Sequence, residues 1–262
     1  MVDSDKGCLG NDVLTRLSPD ISAGRRFAEL QAIDRERKQP EVRVVQPVTA
    51  RRAGAASQPV RDLRNRLHCH LEVHNPGTFE NAFRCRTITL TGAPLFVDYA
   101  RSLAGDNLCV VSPDTGGAKW AELFREALEA ACGQPVGKAF VDKHRSAGVV
   151  SGDLFVGDVA ALVVDDLIST GGTLLRAARA IRKAGAKRVI ALVTHRLFML
   201  GSAEVLADPA IDRLVVTDTV PPFRFGTDAL RDKLTILPSA PLFADAIRRL
   251  HQGRSLADLL VF

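Results

Sequence analysis

Short apolar runs alternate along the chain with longer segments whose apolar residues recur every three to four positions. The short runs predict buried parallel strands, and the longer segments predict amphipathic helices. The run at residues 160–164, for example, is followed by Leu174, Leu175, Ala178 and Ile181 at helical spacing. This alternation of strands and helices predicts an α/β fold with mostly parallel sheets and helices on both faces.

One strand–turn–helix segment carries several chemically active residues. The apolar run of residues 160–164 leads into a pair of acids, and a Gly-rich turn then opens the next helix. Free backbone N–H groups and the helix dipole at such a turn favour an anion, so we predict a phosphate site. A carboxylate accepts hydrogen bonds from the vicinal hydroxyls of a ribose. The predicted ligands are Asp165 and Asp166 for the sugar, and Ser169, Thr170, Gly171, Gly172 and Thr173 for the phosphate.

A second Gly-rich turn, residues 112–117, follows the strand predicted at residues 108–111. Asp114 lies in this turn, where it is placed to hold a metal ion or a hydroxyl group. His74 follows another predicted strand end, and we expect Glu72 on the same face. Because parallel strands end at one edge of a sheet, we predict a phosphate site beside a pyrophosphate or metal site.

The segment after the strand predicted at residues 135–141 contains two cations two positions apart. On an extended segment Lys143 and Arg145 point the same way. Together they are suited to neutralise a phosphoryl or pyrophosphoryl group during its transfer. A solvated basic pair without a chemical role is the alternative interpretation.

The composition limits the location and the partners. The chain is 46% hydrophobic and 25% charged, its five cysteines are scattered, and no apolar run approaches the length of about 20 residues that crosses a bilayer. Residues 1–10 lack the apolar core of a signal peptide, so we expect a cytoplasmic protein with reduced thiols and no membrane contact.

The basic charge does not by itself indicate a nucleic-acid partner. The net charge is +5 and the pI is about 9.1, but the basic residues alternate with acids and no RNP-like aromatic pattern is present. We therefore expect small phosphorylated substrates and no nucleic acid. The group formed by His68, Cys69, His70 and His74 lacks the spacing of a zinc site.

Several motifs together resemble the ribose-phosphate diphosphokinases, that is, the phosphoribosyl pyrophosphate (PRPP) synthetase family. The similarity covers roughly residues 70–262. Its matching segments are residues 73–75, 111–117, 142–145, 164–173, 194–195, 216–221 and 240–251.

The resemblance implies a phosphoribosyltransferase-like fold of type I and a defined reaction. The family transfers pyrophosphate from ATP to the C1 hydroxyl of ribose 5-phosphate with Mg²⁺, giving PRPP and AMP, and it forms dimers or hexamers. By this resemblance His74 and Asp114 lie at the magnesium–nucleotide site, and Lys143 and Arg145 are catalytic cations on a flexible loop. The ribose hydroxyls are then held by Asp165 and Asp166, and the 5-phosphate by residues 169–173.

The N-terminal part departs from the family pattern. We predict a shortened, divergent N-terminal domain at residues 1–105 and a C-terminal phosphoribosyltransferase-like domain at residues 106–262. Neither of the family's two nucleotide-contacting motifs is found between residues 1 and 67. Three further departures are single residues. Glu72, Trp120 and Arg196 stand where the family usually has Asp, Arg and Gly, respectively.

Three functions therefore stay open, with a PRPP synthetase as the leading hypothesis. The missing nucleotide motifs favour a catalytically silent subunit that binds ribose phosphate and regulates an active partner. The retained Lys143 and Arg145 oppose that hypothesis, because a silent subunit does not need a catalytic cation pair. A transferase that consumes PRPP is the third hypothesis, but it does not need the loop at residues 143–145 or the C-terminal tail.

Overall fold

A computed structural model of the protein describes six ranges of the chain. The cations Lys143 and Arg145 lie outside them. The described ranges are residues 41–45, 66–103, 107–142, 149–152, 159–221 and 228–260.

A small parallel sheet comes first in the chain. Its strands are β1 (Glu41–Val45), β2 (Arg66–Leu71) and β3 (Arg86–Leu90), with β2 in the middle. The end of the described chain returns to this sheet, where Leu260 forms an isolated antiparallel bridge with Leu90. The C-terminal segment thereby pairs with β3 at its outer edge.

A larger sheet contains seven described strands. In chain order they are β4 (Asn107–Ser112), β5 (Gly137–Asp142), β6 (Val149–Gly152), β7 (Val159–Ile168), β8 (Arg188–Arg196), β9 (Arg213–Thr217) and β10 (Leu234–Leu237). From edge to edge the order is β10-β9-β8-β7-β4-β5-β6, and among these described strands only the β5–β6 pair is antiparallel. The chain runs outward in opposite directions from β4 and from β7. Such a switch point leaves a crevice at the carboxyl ends of the strands, where open α/β sheets bind ligands.

Helices connect the strands and cover both faces of the large sheet. Within the described ranges they are α1 (Pro76–Glu80), α2 (Ala93–Arg101), α3 (Ala118–Cys132), α4 (Gly172–Lys183), α5 (Ser202–Leu206), α6 (Asp228–Arg231) and α7 (Ala240–His251). None of them is both long enough and apolar enough to cross a membrane. The predicted α/β class, with mostly parallel sheets and helices on both faces, is confirmed.

Alternation along the central strand β7 explains the two covered faces. Ala161 and Val163 belong to the apolar core beneath α4, whereas Leu162 and Val164 belong to the core beneath α2 and α3. Successive side chains of a strand point to opposite faces, so an apolar run along a strand must be covered on both sides. The apolar run that predicted this strand therefore reflects its two-sided burial.

The last helix, α7, packs on the small sheet. Leu242 and Ala246 of α7 share an apolar core with Leu71 of β2 and Leu90 of β3. The division of the chain into domains at residue 105 stays a prediction.

The strand β7 is longer than its apolar run, residues 160–164. It continues to Ile168 because Leu167 and Ile168 pair with His195 and Arg196 of β8. The two acids that follow the run thus lie on a paired strand rather than in a turn. Their backbone is fixed by the sheet, which orients both carboxylates.

Candidate active site

The predicted binding residues converge at the switch point between β4 and β7. His74, Asp114 and residues 165–173 line one cavity of about 220 Å³. Each described residue that was predicted to bind substrate or metal borders this cavity. The predicted catalytic residues, Lys143 and Arg145, lie outside the described part of the chain.

Residues 169–173 form the turn between β7 and α4, and Gly171 determines its shape. Gly171 has a φ of 81°, in the left-handed region that other residues rarely adopt. A Cβ atom at this position would lie 2.9 Å from Cδ2 of Leu206, which is fully buried. Gly171 also brings no side chain that caps α4, so the positive end of the helix borders the cavity without a capping group. This is the arrangement that an anion requires.

Two adjacent carboxylates follow the apolar part of β7. Oδ1 of Asp165 accepts a hydrogen bond of 3.0 Å from the backbone N–H of Asp166. Burial, together with the negative charges of Asp166 and Asp114, raises the pKa of Asp165 to about 7. The site therefore concentrates negative charge that a cation or a hydroxyl donor would stabilise.

The turn after β4 is organised by the side chain of Asp114. Its Oδ1 accepts hydrogen bonds from the backbone N–H groups of Gly116 and Gly117, at 2.9 and 3.1 Å. Its carbonyl oxygen accepts a hydrogen bond from the hydroxyl of Ser112. A carboxylate that closes its own turn in this way fixes the loop at the mouth of the cavity.

His74 reaches the site from the small sheet. Its Nδ1 lies 2.8 Å from Oδ2 of Asp166, and the His74 side chain is 77% exposed. The prediction that Glu72 shares the face of His74 is wrong, because β2 ends at Leu71 and Glu72 has a φ of 31°. This backbone turn directs Glu72 into the interior, where only 3% of the residue is exposed.

A buried polar cluster joins the two sheets behind the site. His195 of β8 lies 2.8 Å from the hydroxyl of Thr219 through Nδ1, and 3.1 Å from the carbonyl oxygen of Leu71 through Nε2. Burial lowers the pKa of His195 to about 4, so the ring is neutral near pH 7. A neutral imidazole donates from one nitrogen and accepts at the other, which fits these two partners.

Arg176 is a neighbour of the predicted phosphate turn that the sequence interpretation missed, although it does not line the cavity. Its Nη2 donates a hydrogen bond of 3.2 Å to the hydroxyl of Thr173, and its Nη1 would lie 3.6 Å from a Cβ atom at Gly172. The guanidinium thus lies beside the predicted phosphate turn. The available signal was a basic residue one helical turn after Thr173, where side chains share a face.

Within the described ranges, no three His, Cys, Asp or Glu side chains form a group that could hold a metal ion by themselves. This finding is compatible with Mg²⁺, which is usually held by one or two carboxylates together with substrate oxygens and water.

The chain is similar to a known family and to proteins of that family. It matches the family described as the phosphoribosyl synthetase-associated domain over residues 113–261. It is 36% identical over 194 residues to the ribose-phosphate pyrophosphokinase of Caldanaerobacter subterraneus subsp. tengcongensis, covering 72% of this chain and 58% of that protein. It is 35% identical over 194 residues to ribose-phosphate pyrophosphokinase 5 of Schizosaccharomyces pombe, covering 72% of this chain and 54% of that protein. The match thus spans little more than half the length of these relatives.

The fold is also similar to that of a solved structure. The crystal structure of phosphoribosylpyrophosphate synthetase from Mycobacterium smegmatis is similar with a TM-score of 0.65 and 25% sequence identity, over 88% of this chain and 78% of that chain. Fold and cavity together define an α/β protein with an anion-binding turn and a pair of acids at the switch point of its sheet. More narrowly, the chain belongs to the phosphoribosyl pyrophosphate synthetase family.

Proposed function

We propose that this protein is a ribose-phosphate pyrophosphokinase, which transfers the diphosphoryl group of ATP to the C1 hydroxyl of ribose 5-phosphate. The products are PRPP and AMP. The observation that carries the proposal is one cavity in which the anion-binding turn, the two aspartates and His74 lie together. The names of the matched relatives support the same reaction.

In this proposal the cavity holds ribose 5-phosphate at two points. The turn at residues 169–173 binds the 5-phosphate through backbone N–H groups and hydroxyls at the start of α4. Asp165 and Asp166 accept hydrogen bonds from the ribose hydroxyls. A substrate held at both ends presents its C1 oxygen in a fixed position, which is the main contribution of a protein to phosphoryl transfer.

The chemical step moves one group between two oxygens. The C1 hydroxyl releases its proton to solvent as its oxygen forms a bond to the β-phosphorus of ATP, and the bond between that phosphorus and the oxygen of AMP breaks. Lys143 and Arg145 are proposed as the cations that stabilise the negative charge spread over the moving group, an effect whose removal typically costs about 10²–10³ in rate.

Mg²⁺ is the proposed cofactor, with His74 and Asp114 at its site. The donor chemistry fits, because the carboxylates of Asp114, Asp165 and Asp166 line one cavity with the imidazole of His74, and Mg²⁺ binds carboxylate oxygens. When bound, Mg²⁺ neutralises charge on the phosphates of ATP. The protein groups around it orient the nucleotide beside the ribose.

We further propose that the protein is cytoplasmic and forms a homo-oligomer, either a dimer or a hexamer. It binds neither membrane nor nucleic acid. A reducing compartment is supported by Cys69, Cys85, Cys109 and Cys132, which form no disulfide within the described ranges. The family resemblance supports assembly, since its members share nucleotide sites between subunits.

A regulatory subunit is the second candidate function, favoured by one observation. The family's nucleotide-contacting motifs are not found between residues 1 and 67. Such a subunit would bind ribose 5-phosphate in the same cavity without turning it over.

The test measures AMP formation from ATP, ribose 5-phosphate and Mg²⁺, with binding of ribose 5-phosphate measured by calorimetry. The proposal predicts turnover that falls by about 10²–10³ in Lys143→Ala while binding of ribose 5-phosphate is retained. Binding without turnover would instead support the regulatory subunit. Absence of both would contradict each candidate.

A further inference from the structure

Glu72 is a buried carboxylate that lies between the two sheets and accepts four hydrogen bonds. Three of them go to Oε1: from the hydroxyl of Thr91 at 3.0 Å, the backbone N–H of Gly92 at 2.7 Å and the indole N–H of Trp120 at 3.0 Å. The hydroxyl of Thr194 donates to Oε2. A carboxylate has acceptor sites for all four donors, whereas an amide of the same shape does not.

The backbone of Glu72 is fixed as firmly as its side chain. Its N–H donates to the carbonyl oxygen of Leu90 at 2.9 Å, and its own carbonyl oxygen lies 3.3 Å from Nε2 of His195. These contacts hold the φ of 31°, which a residue with a side chain adopts only when its surroundings over-determine it. The chain turns at this point, and His74 follows two residues later.

Two of the donors to Glu72 belong to elements that lie next to the segments lining the cavity. Trp120 lies in the first turn of α3, the helix opened by the Asp114 turn. Thr194 lies on β8, beside the strand that carries Asp165 and Asp166. One side chain is therefore bonded both to the helix that follows the Asp114 turn and to the strand that pairs with β7.

We propose that Glu72 is a positioning residue, which with Trp120 fixes the end of β2 so that His74 reaches Asp166. This inference rests on the proposed function, because His74 is a site residue only if the cavity is the active site. Neither Glu72 nor Trp120 lines the cavity, so they act through His74 and the Asp114 turn. Misplacement of reacting groups by about 1 Å typically costs about 10²-fold in rate.

The test compares Glu72→Gln, Trp120→Phe and the double variant with wild type. Glu126→Gln on the exposed side of α3 is the matched control. The ring signal of His74 is recorded by NMR, assigned by its loss in His74→Asn. Asp166→Asn gives the position of that signal without the hydrogen bond to Asp166. Calorimetry of ribose 5-phosphate and steady-state kcat complete the measurement.

We expect Glu72→Gln to move the His74 signal toward its position in Asp166→Asn and to lower kcat by about 10²-fold. Binding of ribose 5-phosphate and the behaviour of Glu126→Gln should stay as in wild type. Trp120→Phe should move the same signal less, and the two substitutions should be non-additive, as for residues in contact.

A His74 signal at its wild-type position in both Glu72→Gln and Trp120→Phe would overturn the inference. Equal losses of kcat and of ribose 5-phosphate binding in Glu72→Gln would overturn it as well. If Glu72→Gln does not fold, Trp120→Phe decides through the His74 signal. If wild type makes no AMP, the proposed function fails, but the His74 signal still shows whether Glu72 positions the ring.

Discussion

Replacing Gly171 by Ala tests the anion-binding turn, because two separate penalties meet at this residue. The backbone has a φ of 81°, and the left-handed conformation costs an L-residue about 1–2 kcal/mol. The new Cβ would also lie 2.9 Å from Cδ2 of the buried Leu206 and 3.3 Å from Cγ1 of Val205. Overpacking of this kind typically costs about 1–3 kcal/mol. We therefore expect Gly171→Ala to lower the free energy of unfolding by about 2–5 kcal/mol.

Gly201→Ala is a matched control for the backbone term alone. Gly201 also has a φ of 81°, but a Cβ atom there would meet nothing within 4 Å. This variant should lose only about 1–2 kcal/mol. The difference between the two variants measures the contact of the turn with α5.

Urea denaturation gives the stability of both variants, and calorimetry gives their affinity for ribose 5-phosphate. If the turn binds the 5-phosphate, Gly171→Ala should weaken binding strongly, whereas Gly201→Ala should bind as wild type does. Equal stabilities of the two variants would refute the packing argument. Wild-type affinity in Gly171→Ala would refute the assignment of the phosphate site.

Three further predictions concern single side chains. The raised pKa of Asp165 means that its neutral form is favoured in the folded state; the stability it contributes is complete below its unfolded pKa near 4 and is lost as pH rises through about 7. Urea denaturation across this pH window should show that the free energy of unfolding of wild type falls as pH rises, and that it falls less in Asp165→Asn. Identical pH profiles of the two proteins would contradict the raised pKa of Asp165. Arg176→Ala should weaken binding of ribose 5-phosphate about tenfold, the effect of losing one charge-assisted hydrogen bond, and should leave binding of ribose itself unchanged. Arg179→Ala, one turn later on α4 and paired with Asp208, is the control, and equal calorimetric effects of both variants would exclude a specific role. Phe124→Ala should lower the free energy of unfolding in urea by about 3–5 kcal/mol, because Phe124 is fully buried and stacks on Trp120; a loss below about 1 kcal/mol would show that the core beneath α3 is misassigned.

The parts of the site that sequence predicts well are those with local causes. A Gly-rich turn between an apolar run and a helical pattern identifies residues 169–173 without knowledge of the rest of the fold. The same reasoning locates Asp114, because its turn also follows a buried strand. That the two turns meet follows from a general property of parallel sheets, whose strands end at one edge.

The parts that sequence does not predict depend on partners far along the chain. The inward orientation of Glu72 follows from donors at Trp120 and Thr194, 48 and 122 positions away. The extension of β7 beyond its apolar run depends on pairing with β8. Neither pairing leaves a periodic pattern near the residue concerned, so local propensity cannot reveal it.

Product identification by ³¹P NMR tests the central claim most directly. The protein is incubated with ATP, ribose 5-phosphate and Mg²⁺, and the phosphorus signals are followed over time. The proposed function predicts equal amounts of AMP and of a diphosphate ester at C1 of ribose 5-phosphate, with neither ADP nor free pyrophosphate as the product of turnover. Unchanged ATP beside bound ribose 5-phosphate would contradict it.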